Sequence, residues 1–227
     1  MTSQEISVVE LSFKVALVAT LFCLPIAVAL AFVLARKEFW GKSLLSAISY
    51  LPLLLPPVVT GYLLLSAFGR TGYIGAPLLA WTGLTIAFKW TGAALAAAVI
   101  SLPIMVQPIR VAFELSDGKL EEAAEDLGAT PIQRFFTITL PLAAPGVIAA
   151  AVLGFVKSLG EFGATITFVS NIPGETQTLA LAVYSLIQTP NGDAAATRLI
   201  WLSIAMAFAA LLLSDVFSRR MRRRRST

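Results

Sequence analysis

Little in this sequence is equipped for covalent chemistry. It has no His and one Cys, Cys23, which rules out imidazole bases, His-ligated metals, an internal disulfide and Cys-built zinc or iron–sulfur sites. Gly41-Lys42-Ser43 imitates the end of a Walker A phosphate loop, but the upstream position that needs glycine is Arg36. No carboxylates stand paired at a defined spacing, so a membrane enzyme finds no reactive constellation here. Two polar clusters remain. One is the acidic run Glu121, Glu122, Glu125 and Asp126, interleaved with Leu120, Ala123, Ala124 and Leu127. The other is Lys157, Glu161, Thr165 and Thr167, within or beside the polar stretch 158–178. There the Lys157 ammonium and the two threonine hydroxyls suit a passing oxyanion, and Glu161 suits a cation. An ordinary outer loop packed on its neighbours accounts for that stretch equally well.

Any element that positions these residues lies in a membrane. Of 227 residues, 57% are hydrophobic and 13% charged, and the mean hydropathy is +0.82. A water-soluble domain of this size would lack polar side chains to cover its surface. The sequence pI near 9.5 invites a nucleic-acid reading, but six arginines crowd into the last nine residues and residues 1–218 carry a net charge of −2. A basic tail (218–227) directly after an apolar segment reads as an anchor on the membrane surface, with no nucleic-acid partner.

Runs of about 20 apolar residues suffice to cross a bilayer, and five are expected: Val15–Ala35, Ser43–Gly69, Trp90–Ile109, Phe135–Val156 and Ala194–Val216. The fourth should begin in earnest near Pro141. The segments 71–88 and 176–192 are broken by Gly, Pro, Gln and Asn and are expected to be external or re-entrant. With the N-terminus outside and the C-terminus in the cytoplasm, the inner segments hold 12 Lys and Arg and the outer ones 5. A signal peptide over 15–35 is disfavoured by the length of the run and by Glu5 and Glu10. The expected architecture is therefore all-α: a polytopic helical bundle of about five spans forming a single domain over 1–227. Prolines at 25, 52, 56, 57, 103, 108, 141 and 145 lie in or at the ends of spans, as packing kinks or as breaks along a transport path.

The insertion 112–141 predicts two short helices with a hinge. Asp117 caps the first, Gly128 stops it in the left-handed conformation, and Thr130-Pro131-Ile132-Gln133 opens the second with a capping box. Leu120, Ala123, Ala124 and Leu127 share one face of the first helix. Such a shallow face either closes the bottom of the bundle or lets a partner approach closely.

Glu122-Ala123-Ala124, three residues, Gly128, nine residues, then Ile138-Thr139-Leu140-Pro141 resembles the signature loop of the permease subunits of binding-protein-dependent ABC importers. The stretches 51–59, 135–141 and 158–165 are similar to the molybdate branch of that family, and the resemblance runs nearly end to end. It implies a type I importer permease in a bacterial inner membrane, with the loop as a helix docking through Glu122, Ala123, Ala124 and Gly128 into an ATPase. Further implications are two copies of this chain and two ATPase subunits holding the ATP and Mg, with no cofactor on this chain and an external molybdate-binding protein. Tungstate, sulfate or thiosulfate are alternative cargoes, and an ATP-independent channel or secondary transporter is the alternative class. Some relatives carry an additional N-terminal span that has no counterpart here.

Overall fold

The computed structural model describes residues 2–223, with side chains over 2–212. The basic tail at 218–227 lies outside the described side chains. The first helix, α1, spans Ser3–Arg36. It starts well before Val15 because Thr2 and Glu5 form a reciprocal cap: Thr2 Oγ1 accepts from the Glu5 N–H at 3.2 Å, and Glu5 Oε2 accepts from the Thr2 N–H at 2.9 Å.

The second expected span is not one helix. It divides into α2 (Lys42–Leu54) and α3 (Pro57–Phe68), bent by 110°. Pro56 and Pro57 both lack a donor N–H, and Leu55, preceding proline, is forced to extended backbone with ψ 146°. Pro57 then starts the next helix at the position where a missing donor costs least.

After a short α4 (Gly75–Thr82), α5 (Trp90–Glu114) forms the centre of the bundle. Then come α6 (Gly118–Asp126), α7 (Pro131–Arg134), α8 (Leu140–Leu159), α9 (Gly163–Val169), α10 (Leu179–Ile187) and α11 (Asp193–Arg223). At eight and nine residues, α4 and α10 are too short to cross a bilayer. Four helical stretches are long and apolar enough: α1, α5, 131–159 and 193–212.

Side-chain register decides whether the bent pair also crosses. Lys14 Nζ lies 3.7 Å from the Trp90 ring, Cys23 Sγ is 3.5 Å from Ala98 O, and Arg36 bonds Ser116. Positions ascend together, so α1 and α5 run parallel. Between them the chain must return to the side on which α1 began, which makes α2 and α3 a broken crossing rather than a re-entrant loop. The second expected span is thus present in interrupted form, the fifth crossing beside the four unbroken ones.

Small side chains set the spacing. Ala16, Ala19, Ala27 and Ala31 on α1 and Ala93, Ala94, Ala96, Ala97 and Ala98 on α5 are all buried. A Cβ on Gly154 would sit 2.4 Å from Met105 Sδ, and one on Gly146 would sit 2.8 Å from Pro108 O. In lipid, where burial of apolar surface gives helices no reason to associate, such close contact is what holds them together.

Candidate functional site

The insertion between α5 and α8 carries the first polar cluster. Asp117 Oδ1 accepts from the Lys119 N–H at 3.0 Å and caps α6. Two carbonyl bonds close the helix: the Gly128 N–H donates to Glu125 O at 2.8 Å and the Ala129 N–H to Ala124 O at 2.9 Å. Gly128 has φ +85°, the left-handed residue this Schellman end requires. Thr130 and Gln133 form the expected reciprocal cap, with bonds of 2.9 and 3.3 Å.

The hinge falls between α6 and α7 as expected, but the second short helix does not stand apart from the span, whose start was expected near Pro141. From α7 the chain passes through one π-helical turn, Phe135–Thr139, directly into α8. Pro141 has no N–H and its ring crowds the preceding turn; widening the helix so that Leu140 N–H reaches Phe135 O accommodates it. Any displacement of α7 is therefore a displacement of the span itself.

No residue of α6 is buried. Its apolar face is turned away from the bundle: Leu120 is 50% and Leu127 89% exposed, and Ile132 and Phe136 beyond the turn are exposed as well. The apolar face of α6 is therefore not what packs it against the bundle.

Carboxylates on one flank hold α6 instead. Arg36, at the end of α1, donates through Nη2 to Glu121 Oε1 at 2.8 Å, to Ser116 Oγ at 2.6 Å and to Ser116 O at 3.3 Å. Arg134 of α7 pairs with Glu125. Glu122 and Ala123 are exposed, Ala124 is half-buried, and Gly128, just past the end of α6, is exposed. Neither tethering arginine is recognisable in sequence beyond its sign, because Arg36 and Glu121 are 85 positions apart.

The second cluster is assembled at the far end of α8. Lys157 Nζ and Glu161 Oε2 are 2.8 Å apart, with the Glu161 side chain only 2% exposed. Glu161 Oε1 also accepts from the Ala164 N–H at 3.0 Å, joining the end of α8 to the start of α9. Thr165 is buried. Thr167 donates its hydroxyl to Gly163 O at 2.9 Å. The structure therefore brings Lys157 and Glu161 together and commits Thr167 to its own helix. The stretch is also more ordered than a polar break, since Ala164, Phe168 and Val169 of α9 enter the core.

A bundle of apolar spans with an exposed, rigidly stopped helix between two of them has the form of a membrane transport subunit. Over residues 24–223 the chain matches the family described as binding-protein-dependent transport system inner membrane component. It is 55% identical over 224 residues to the molybdenum transport system permease protein ModB of Escherichia coli (strain K12), covering 99% of this chain and 98% of that protein. With the sulfate transport system permease protein CysT of Salmonella typhimurium it shares 34% over 221 residues, 96% of this chain and 79% of that one. Among solved structures it resembles a bacterial alginate ABC transporter in complex with an alginate pentasaccharide-bound periplasmic protein. The TM-score is 0.77 at 20% identity, over 97% of this chain and 80% of that one; this is a likeness of fold. The chain belongs to the family of inner-membrane components of binding-protein-dependent transport systems, and it is a multi-pass inner-membrane permease subunit of the type I importer fold.

Proposed function

We propose that this chain forms the membrane path for molybdate in an ATP-driven importer. Two copies line the path between them, each docked through α6 to a separate ATPase subunit that holds ATP and Mg, and a binding protein delivers the ion from outside. The α6 end of the bundle faces the cytoplasm, with the N-terminus outside and the C-terminus inside; the lysine and arginine bias supports this orientation. A two-fold pair suits a chain with only five crossings, because a closed symmetric arrangement encloses a path that one copy leaves open.

The observation that supports the docking role is the exposed apolar face of α6 on a helix fixed at both ends. An ATPase that moves α6 pulls on α1 through Arg36–Glu121 and on α8 through Arg134–Glu125, with α5 directly joined to it. Movement of the docked subunit thereby reaches three spans as a rigid-body displacement. The choice of molybdate over sulfate rests on the far stronger likeness to a molybdenum permease than to a sulfate permease; tungstate has the same charge and shape and competes for the same path. Uptake into proteoliposomes containing this chain, its ATPase and its binding protein tests the assignment. Molybdate should accumulate only with ATP on the α6 side, and flux through the chain alone would favour a channel instead.

A further inference from the structure

At the end of the bundle opposite α6, a groove of about 210 Å³ lies between α1 and α5, lined by Val18, Ala19 and Phe22 of the first helix and Trp90, Ala94 and Leu95 of the second. Ala19 and Ala94 are buried and form its floor, while Val18 and Phe22 are exposed at its rim. Charge gathers at one end. Glu10, Lys14, Val18 and Phe22 follow one another at four-residue spacing, so two charged residues lead along one stripe of α1 into the groove. On α5 the corresponding charge is Lys89, the N-cap residue. Lys14 Nζ lies 3.7 Å from the centroid of the Trp90 ring, so the apolar runs that begin after Lys14 and after Lys89 start at the same level. Tryptophan beside lysine at the start of an apolar run marks the headgroup layer of a membrane. Lys14, Lys89 and Glu10 are all exposed. Among the described residues no acceptor binds either lysine and no cation pairs with Glu10, although Glu10 and Lys14 stand at a spacing that suits an ion pair. The remaining charge is Glu175, whose Oε1 accepts from the Trp90 N–H at 3.4 Å.

We infer that this groove seats one phospholipid with an amine headgroup, phosphatidylethanolamine. An acyl chain lies along Val18 and Phe22, the phosphate meets the free ammonium groups of Lys14 and Lys89, and the headgroup ammonium meets Glu10. The two lysines are balanced by Glu10 and Glu175, so the mouth offers both signs and no net charge. A zwitterionic headgroup answers both signs, whereas phosphatidylglycerol answers only the lysines. Phosphatidylcholine has the same charges as phosphatidylethanolamine but no N–H to donate to Glu10. A seated lipid joins α1 to α5 at the ends farthest from the docking helix and stabilises the folded chain by mass action. The inference rests on α1 and α5 crossing the membrane, and binding is read directly, so it stands or falls apart from the molybdate assignment.

The test uses the full-length chain, delipidated in detergent and titrated by native mass spectrometry with phosphatidylethanolamine, phosphatidylglycerol and phosphatidylcholine of identical acyl chains. One phosphatidylethanolamine per chain should bind about threefold more tightly than either of the others, the effect of one exposed ion pair. Lys14→Gln should weaken it about fivefold, the effect of one lysine at a headgroup. Glu10→Gln should remove the preference over phosphatidylglycerol. Thr91→Phe, which fills the groove from its exposed rim without altering a charge, should weaken all three lipids alike. Lys119→Gln removes an exposed cation at the opposite end of the bundle and should leave affinity unchanged. Equal affinity for the three lipids, tighter binding of phosphatidylglycerol, or equal loss in Lys14→Gln and Lys119→Gln would overturn the site.

Discussion

Gly128 serves the chain in two separable ways. Its φ of +85° lets α6 end after Asp126, and its missing side chain leaves open space, since a Cβ there meets nothing within 4 Å. Aspartate is among the few residues that enter the left-handed region readily, so Gly128→Asp should keep the helix stop while placing a charge on the docking face. Ala124→Arg does the same from within α6. Both variants are expected to insert and fold as the parent does, to lose most of their co-purifying ATPase and to fall at least about tenfold in transport, a coupling loss of roughly 1.4 kcal/mol. Undiminished transport with full ATPase recovery would remove α6 from the docking role.

Lys157 and Glu161 pose a different question at the same scale. Removing Lys157 strands a carboxylate that is 2% exposed, so Lys157→Met should destabilise the chain by about 1–3 kcal/mol. Neutralising both partners in Lys157→Met/Glu161→Gln should recover most of that stability, as measured by thermal denaturation in detergent. If Lys157 also meets the passing anion, the double variant stays defective in uptake despite its recovered stability. Restored uptake would confine the pair to a structural role.

Among the elements, α3 and α9 approach so closely that a Cβ on Gly61 would lie 2.5 Å from Ala164 O, which is backbone and cannot yield. On α8, the atoms nearest a Cβ on Gly154 belong to the Met105 thioether, a flexible group. Gly61→Ala should therefore lower thermal stability by about 1–3 kcal/mol, while Gly154→Ala costs less. Equal effects in a melting series would show that the α3–α9 contact is looser than described. The same elements show what a sequence can convey. Ends of helices are local events, which is why Asp117, Gly128 and Thr130-Pro131 announce α6 and α7 from their spacing alone. Pro56-Pro57 announces a break, but the 110° turn between α2 and α3 is set by packing on α5 and α9, partners distant in the chain. The Arg36 tether was illegible for the same reason, its partner Glu121 lying 85 positions away, since a lone arginine after an apolar run reports only which side of the membrane it prefers; Arg134 meets Glu125 only because the turn at 127–130 folds α7 back beside α6. Composition also could not distinguish a helix that packs its apolar face inward from one that leaves it exposed, and α6 does the second.

For the whole molecule, apolar surface is distributed as a lipid surround requires, with Leu21, Phe22, Leu54, Tyr62, Trp201 and Phe208 all more than half exposed. As proposed above, this chain forms a membrane path for molybdate. The most direct measurement is elemental analysis of cells lacking the gene and grown at scarce molybdate, following molybdenum, tungsten and sulfur together. The account predicts a fall in molybdenum, repaired by excess molybdate or by the intact gene, with sulfur unchanged. Loss of sulfur assimilation with normal molybdenum would contradict it.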